Sequence, residues 1–275
     1  MKRIIVYLII IGSLITVTVN GQIVSKNTPR VLEELYGRFM NNYNDSSRVQ
    51  VNDSIRTIIE SYVKSDTVFT HRFKNVRYLG QITSRDSLVK IITWNLVLMS
   101  GQNKYYCYFI RKQPQGSKNL IYGLVADYKA DRVKTDTTYT QQDWYGALYY
   151  DIKPYTIKGE KCWILLGIDY GNPDISRKII DVVSFTPGDS ILFGRKWFDA
   201  GAKKQFRDVF EYASNAMMSL RFKSDSSIVF DHLVPFSPDK KNNRQYYGPD
   251  YSTDSYNLIK GLWSLIINVD VRNNQ

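Results

Sequence analysis

From about residue 76 onward the apolar residues of this chain recur at every second position, and that period limits the fold more than any other feature. Successive side chains on a strand point to opposite faces, so a period of two means strands that turn one face to a core. Candidate strands cover 76–83, 87–99, 103–112, 119–126, 144–153, 160–169, 178–186, 190–198, 205–212, 215–223, 226–234 and 261–272. Trp263, Leu265, Ile267, Val269 and Val271 face one way, while Ser264, Asn268, Asp270 and Arg272 face the other. Ala216, Met218, Leu220 and Phe222 oppose Ser219, Arg221 and Lys223 in the same manner. Such alternation belongs to antiparallel sheets with one wet face. The runs 91–99 and 162–168 are apolar on both faces and are expected at the centre. Thr186-Pro-Gly-Asp189, Lys158-Gly-Glu160 and Ser224-Asp-Ser226 supply short turns. The pattern predicts a mainly β protein of about twelve antiparallel strands in a meander, closed as a barrel, a sandwich or a propeller-like array.

Before residue 76 the period is helical. Thr28 is placed to cap and Pro29 to start a helix whose Leu32, Leu35, Phe39 and Tyr43 share a stripe. Asn41-Asn42 and the polar segment 44–47 are expected to end it. Asp53 or Ser54 then opens a second helix with Ile55, Ile58, Ile59 and Tyr62 on one side. An N-terminal helical hairpin over 22–70 therefore precedes a β-rich domain over 71–275. The polar stretch 127–143 is the place where that domain could subdivide.

The first 21 residues have the layout of a secretory signal peptide: Lys2 and Arg3, an apolar run from Ile4 to Ile15, then Val19 and Gly21 before the predicted new N-terminus Gln22. The run to Val19 falls short of the ~20 apolar residues that span a bilayer. No later segment is apolar enough to span, and no cysteine sits near the cleavage point to take a lipid. An exported protein of the periplasm or cell surface is expected, without a membrane span after signal cleavage. The formal charge is +11 and falls by two when Lys2 and Arg3 leave. That balance favours anionic partners. Outside the cytoplasm these are acidic glycans or lipid headgroups rather than nucleic acid.

Chemistry-bearing motifs are few. With only His71 and His232 and two cysteines, Cys107 and Cys162, no zinc site of the usual kind is expected. The two cysteines lie in apolar strand-like runs, and an oxidising compartment leaves their pairing open. Asp169, Asn172 and Asp174 group oxygen ligands in one loop, but hairpin turns use the same residues. There is no G-x-S-x-G elbow, phosphate-cradling glycine loop or HExxH. No cofactor or metal is expected. Asp231 and His232 are neighbours on a strand and point to opposite faces, so they cannot pair with each other. His232 is expected on the apolar face with Ile228, Phe230 and Val234, and a catalytic role would need a carboxylate from another strand.

The segment 235–254 is the longest polar stretch, expected as a loop. It carries Lys240, Lys241 and Arg244 interleaved with Tyr246, Tyr247 and Tyr251. Charge for an acid group and ring faces for stacking make these six the candidate ligand-binding residues; no catalytic residue is assigned.

Seven segments carry a resemblance: Leu165-Leu-Gly-Ile-Asp169, Lys178-Ile-Ile-Asp-Val182, Phe193-Gly194, Phe210-Glu-Tyr212, Val229-Phe-Asp-His-Leu-Val-Pro235, Tyr247-Gly-Pro-Asp250 and Gly261-Leu-Trp263. With them, the second half of the chain resembles a group of exported proteins of unassigned function from Gram-negative bacteria. The resemblance implies export and no particular activity. The expected function is a non-enzymatic binding or envelope-associated protein for an anionic glycan or lipid headgroup. The alternative is a hydrolase acting on an envelope polysaccharide or ester, with acidic residues or His232 in its site.

Overall fold

The computed structural model describes residues 27–157, 159–201 and 203–269. The signal-peptide reading of 1–21, and the end of the last candidate strand, lie outside them. The protein is mainly β with an N-terminal helical hairpin. The helices are α1 (Thr28–Met40) and α2 (Asp45–Val63). Thr28 is the first helical residue rather than the cap, which is Asn27. The segment 44–47 opens α2 instead of closing α1. Asn44 is extended and its Oδ1 accepts from the Ser47 amide at 3.2 Å, and Asp45 stands in the positive first turn. Asp53 and Ser54 therefore lie inside α2. Leu32, Leu35, Tyr36 and Phe39 form the buried stripe of α1, while Tyr43 lies beyond its end and is exposed.

Fifteen described strands follow: β1 (Gly80–Thr83), β2 (Val89–Val97), β3 (Asn103–Arg111), β4 (Leu120–Asp127), β5 (Leu148–Ile157), β6 (Glu160–Asp169), β7 (Ile175–Phe185), β8 (Ile191–Phe193), β9 (Phe198–Asp199), β10 (Lys204–Gln205), β11 (Asp208–Ala213), β12 (Leu220–Phe222), β13 (Ser227–Pro235), β14 (Tyr247–Ile259) and β15 (Leu262–Ile266). They make three sheets rather than one meander. The orders are β1-β2-β3-β4, then β11-β7-β6-β5 with β8 against β7, then β10-β9-β15-β14-β13-β12. All pairs are antiparallel except β15 with β9.

The alternation explains how the sheets stack. On β2 and β3, Ile92, Trp94, Leu96, Tyr106, Tyr108 and Ile110 pack against the helical hairpin. Their neighbours Val89, Ile91, Tyr105, Cys107 and Phe109 face the second sheet, where Trp163, Leu165, Ile179 and Val183 meet them. The opposite face of that sheet presents Cys162, Ile164, Leu166, Ile180 and Val182 to Phe198, Leu220, Ile228, Phe230, Tyr256 and Trp263 of the third. Strands apolar on both faces are thus the inner layers, as the runs 91–99 and 162–168 require. Each fully buried large apolar side chain contributes about 1.5–3 kcal/mol by leaving water. The Trp94 indole N–H donates to Asn52 Oδ1 at 2.8 Å and ties α2 to β2.

Strand boundaries differ from the pattern at several places: 76–83 shortens to β1, 144–153 shifts to β5, 190–198 divides into β8 and β9, and 205–212 divides into β10 and β11. The run 215–223 narrows to β12, with Met217 exposed. The last run stops at Ile266, and Ile267 is exposed. Most of the expected 235–254 loop is ordered backbone. Two 3-10 turns (Pro238–Lys240 and Arg244–Tyr246) lead into β14, the longest strand. Gly248-Pro249-Asp250 reads as a turn locally, yet Gly248 and Pro249 pair with Val234 and Leu233. Tertiary pairing overrides local propensity there.

The stretch 127–143 is held to the second sheet by two buried arginines. Arg177 donates to the carbonyls of Lys129 and Ala130, and pairs with Asp169 at 3.1 Å and Glu211 at 3.0 Å. Arg207 donates to the carbonyls of Lys134, Thr137 and Phe193, and pairs with Asp181 at 2.9 Å. Gly194, at φ +93°, lies against that guanidinium where any Cβ would collide with it. Cys107 and Cys162 are free, buried in different layers on either side of the second sheet.

Candidate functional site

His232 is not a core residue. The β13–β14 register shifts between Asp231 and Leu233, and the residues facing the shift are Asp250, Tyr251 and Ser252. Asp254 stands opposite Phe230 and so shares the face that alternation gives His232, whose Nδ1 lies 2.7 Å from Asp254 Oδ2. The Asn268 amide donates to the other Asp254 oxygen at 3.0 Å. Asp250 accepts from the Ser252 hydroxyl and amide, and these bonds, with the His232 charge adding, hold its carboxyl below the usual range. A carboxylate on Nδ1 orients an imidazole and fixes its tautomer, leaving Nε2 as the group that could exchange a proton. The Ser252 hydroxyl, in the same bulge, donates to Asp250 at 2.6 Å. His232 lines none of the three clefts described here.

The six sequence candidates separate. Lys240 lies 5.1 Å from the Tyr246 ring centre, and Arg244 lies 4.2 Å from that of Tyr247. Lys240 also pairs with Asp239 at 3.2 Å, and the Tyr247 hydroxyl donates to the Lys241 carbonyl at 2.6 Å. Lys240 and Arg244 are thus stacked on the segment's own rings, Lys241 is exposed, and Tyr247 is buried. Tyr251 stands apart in the bulge, fully exposed at φ +70°.

A second basic and aromatic group was not singled out by the sequence. A cleft of about 580 Å³ opens along the seam between the first and second sheets. Arg111 and Lys112 approach it from the end of β3, Lys161 from β6, and Arg195 from just after β8. Trp163 and Phe185 form apolar parts of its wall. Arg111 lies 4.9 Å from the Phe185 ring centre and Lys161 lies 5.7 Å from that of Trp163. Arg111 pairs with Asp189 at 2.6 Å, Lys161 with Asp86 at 3.0 Å, and Arg195 with Glu160. Lys112 has no carboxylate partner among the described residues; it lies 5.7 Å from the Phe69 ring centre. Burial acts to raise the Asp86 carboxyl, but bonds from Ser84, Lys161 and the Leu88 amide outweigh it and hold it below the usual range. The only local signal was Lys161-x-Trp163, a cation and an indole two apart on one strand.

Another cleft, of about 400 Å³, is lined by His71, Arg72, Lys90 and Asp151 among others. Lys90 is buried and donates to Tyr62 Oη, the Val68 carbonyl and the His71 carbonyl at 2.6–2.7 Å. These bonds close the turn after α2. Burial, with the Arg72 charge adding, pulls the Lys90 ammonium down to about 8. Burial and the Lys90 charge in turn lower His71. Because the folded pKa of Lys90 lies below its unfolded value, the unfolded chain binds more protons between the two. The lysine's contribution to stability is therefore expected to rise by about 3 kcal/mol from about pH 8 to the ordinary lysine value of 10.5. Urea unfolding across that window, compared with Lys90→Met, checks this: the rise should be smaller by that amount in the variant, and equal slopes would refute it.

The oxygen-rich loop after β6 is taken up by the fold. Asp169 accepts from the Tyr105 hydroxyl and the Gly171 amide and pairs with Arg177, while Asn172 Oδ1 accepts from the Asp174 and Ile175 amides. No family model matches this chain, and comparison with curated proteins and with solved structures returned no match.

Proposed function

We propose that this is an exported, envelope-associated binding protein whose ligand is anionic, an acidic glycan or a lipid headgroup, held in the cleft between the first and second sheets. The observation that carries the reading is the convergence of Arg111, Lys112, Lys161 and Arg195, from both sheets, around the rings of Trp163 and Phe185. Exposed ion pairs are worth only about 0–1 kcal/mol each. The Arg111, Lys161 and Arg195 pairs have at least one partner well exposed. An incoming carboxylate or phosphate can therefore replace Asp189, Asp86 or Glu160 at small cost. Lys112 is available from the outset. The aromatic walls suit the apolar face of a sugar ring or the first methylenes of a lipid. The net charge of the chain draws such ligands to its surface.

Calorimetric titration tests this with a galacturonate oligomer and with vesicles containing phosphatidylglycerol. A neutral dextran and phosphatidylcholine vesicles serve as controls. One of the two acidic probes should bind, the affinity should fall with added salt, and the Lys112→Glu/Lys161→Glu variant should weaken it about tenfold or more. Neither acidic probe binding, or binding indifferent to that variant, sinks the reading. A His232→Ala arm separates the hydrolytic alternative. It should leave binding intact, whereas cleavage of the glycan or lipid ester that disappears with His232 would replace binding by catalysis.

A further inference from the structure

A cavity of about 410 Å³ lies between α1, the end of β2, the start of β3 and the loop after β6, and shares no lining residue with the basic cleft. It carries no charged side chain, on a chain with a formal charge of +11. Its walls are aromatic. Tyr36 and Tyr78 stand with ring centres 5.9 Å apart, and Tyr170 contributes a third ring. Tyr78, Tyr170 and Met40 are each about half exposed (49, 49 and 48%), which groups three large apolar side chains at one opening. Exposed apolar surface gathered in this way marks a contact site, where scattered residues would not.

The polar groups in the same cavity define what can enter. Asn95 donates its amide to Asn103 Oδ1 at 2.6 Å, and no described residue donates to its own Oδ1. Asn103 is satisfied in turn by donating to the Gly171 carbonyl at 3.2 Å. Tyr36 is buried, 2% exposed, and lends the cavity its ring. A hydrocarbon ligand would leave the Asn95 carbonyl unpaired. A charged ligand would find no counter-charge in the lining. The ligand that meets both conditions is uncharged, has an apolar ring face for the tyrosines and carries a hydroxyl for the amide. The cavity volume lies within the usual range for small-molecule sites. We infer that this cavity is a binding site for a neutral saccharide, seated against Tyr78 and Tyr170 and hydrogen-bonded to Asn95. It is independent of the anionic site and would add a second, uncharged contact to the same glycan surface.

Calorimetry and saturation-transfer NMR with the N-acetylglucosamine trimer, cellotriose and maltotriose test the inference. A tripeptide containing phenylalanine serves as competitor. At least one trisaccharide should bind with Kd of about 1 mM or tighter. Tyr78→Ala and Tyr170→Ala should each weaken it about tenfold, while Lys112→Glu/Lys161→Glu should leave it unchanged. Both tyrosines are half exposed, so circular dichroism should show both variants folded. The inference is overturned by absence of binding for all three sugars at about 10 mM, by binding that survives both tyrosine variants, or by tighter binding of the tripeptide. Because the charge-reversal variant reports only on the basic cleft, failure here is distinguishable from failure of the anionic reading.

Discussion

The Asp181→Ala variant is expected to unfold with about 3–5 kcal/mol less free energy than the wild type, because it leaves the Arg207 guanidinium buried without its counter-charge. Both side chains are fully buried between the first and second sheets. The Tyr145 hydroxyl also donates to Asp181, at 2.7 Å, and the substitution leaves it only its bond with the Tyr149 hydroxyl at 3.0 Å. Arg207 cannot swing out to water without releasing the carbonyls of Lys134, Thr137 and Phe193. Urea unfolding followed by far-ultraviolet circular dichroism measures the loss. The double variant Asp181→Leu/Arg207→Met removes both charges and should recover part of it, since an apolar replacement of a buried pair is often near neutral. A loss under about 1 kcal/mol for the single variant would mean that the pair is not buried in solution as drawn.

Trp263→Ala should cost about 3–5 kcal/mol, whereas Trp263→Phe should cost far less. Trp263 is fully buried in the core between the second and third sheets, edge-on to Tyr155 at 5.4 Å. Alanine opens a cavity there that neighbouring strands, held by their ladders, cannot close. The indole N–H has no hydrogen-bond partner among the described residues. Phenylalanine loses part of the packing but also removes that unpaired donor, and an unpaired buried donor costs about 1–3 kcal/mol. Parallel denaturation curves check the contrast. Equal losses in the two variants would show that the indole N–H is satisfied after all.

Much of the layering was legible in the residues. Ile91 beside Ile92 and Cys162 beside Trp163 required layers covered on both faces, and they lie between neighbours on each side. The helical stripes were legible for the same reason, since burial follows period. Errors fell where the local signal and the pairing disagree. Asn44 to Ser47 could end one helix or start another, and only the Asn44 cap on Ser47 decides. Gly248 and Pro249 carry turn chemistry but complete a ladder with β13. Alternation puts His232 on the face of Phe230, and only the register of β13 with β14 shows that Asp254, opposite Phe230, stands there as its partner.

The binding surfaces were less legible than the fold. Lys240, Lys241, Arg244, Tyr246 and Tyr247 stood out because they are close in sequence, yet the structure stacks Lys240 and Arg244 on Tyr246 and Tyr247. Arg111, Lys161 and Arg195 lie on separate strands and converge only when the first and second sheets meet. Tyr36, Tyr78, Asn95 and Tyr170 are gathered from a helix, a loop, a strand and a turn.

The sequence by itself determined the helical start, the β-rich remainder and the inner position of the doubly apolar strands, because period and burial are properties of single segments. Tertiary structure alone decided the division into three sheets, the His232–Asp254 pair, the anchoring of 127–143 by Arg177 and Arg207, and both clefts. Each of these depends on which segments are brought side by side, and that is set by packing between elements far apart in the chain.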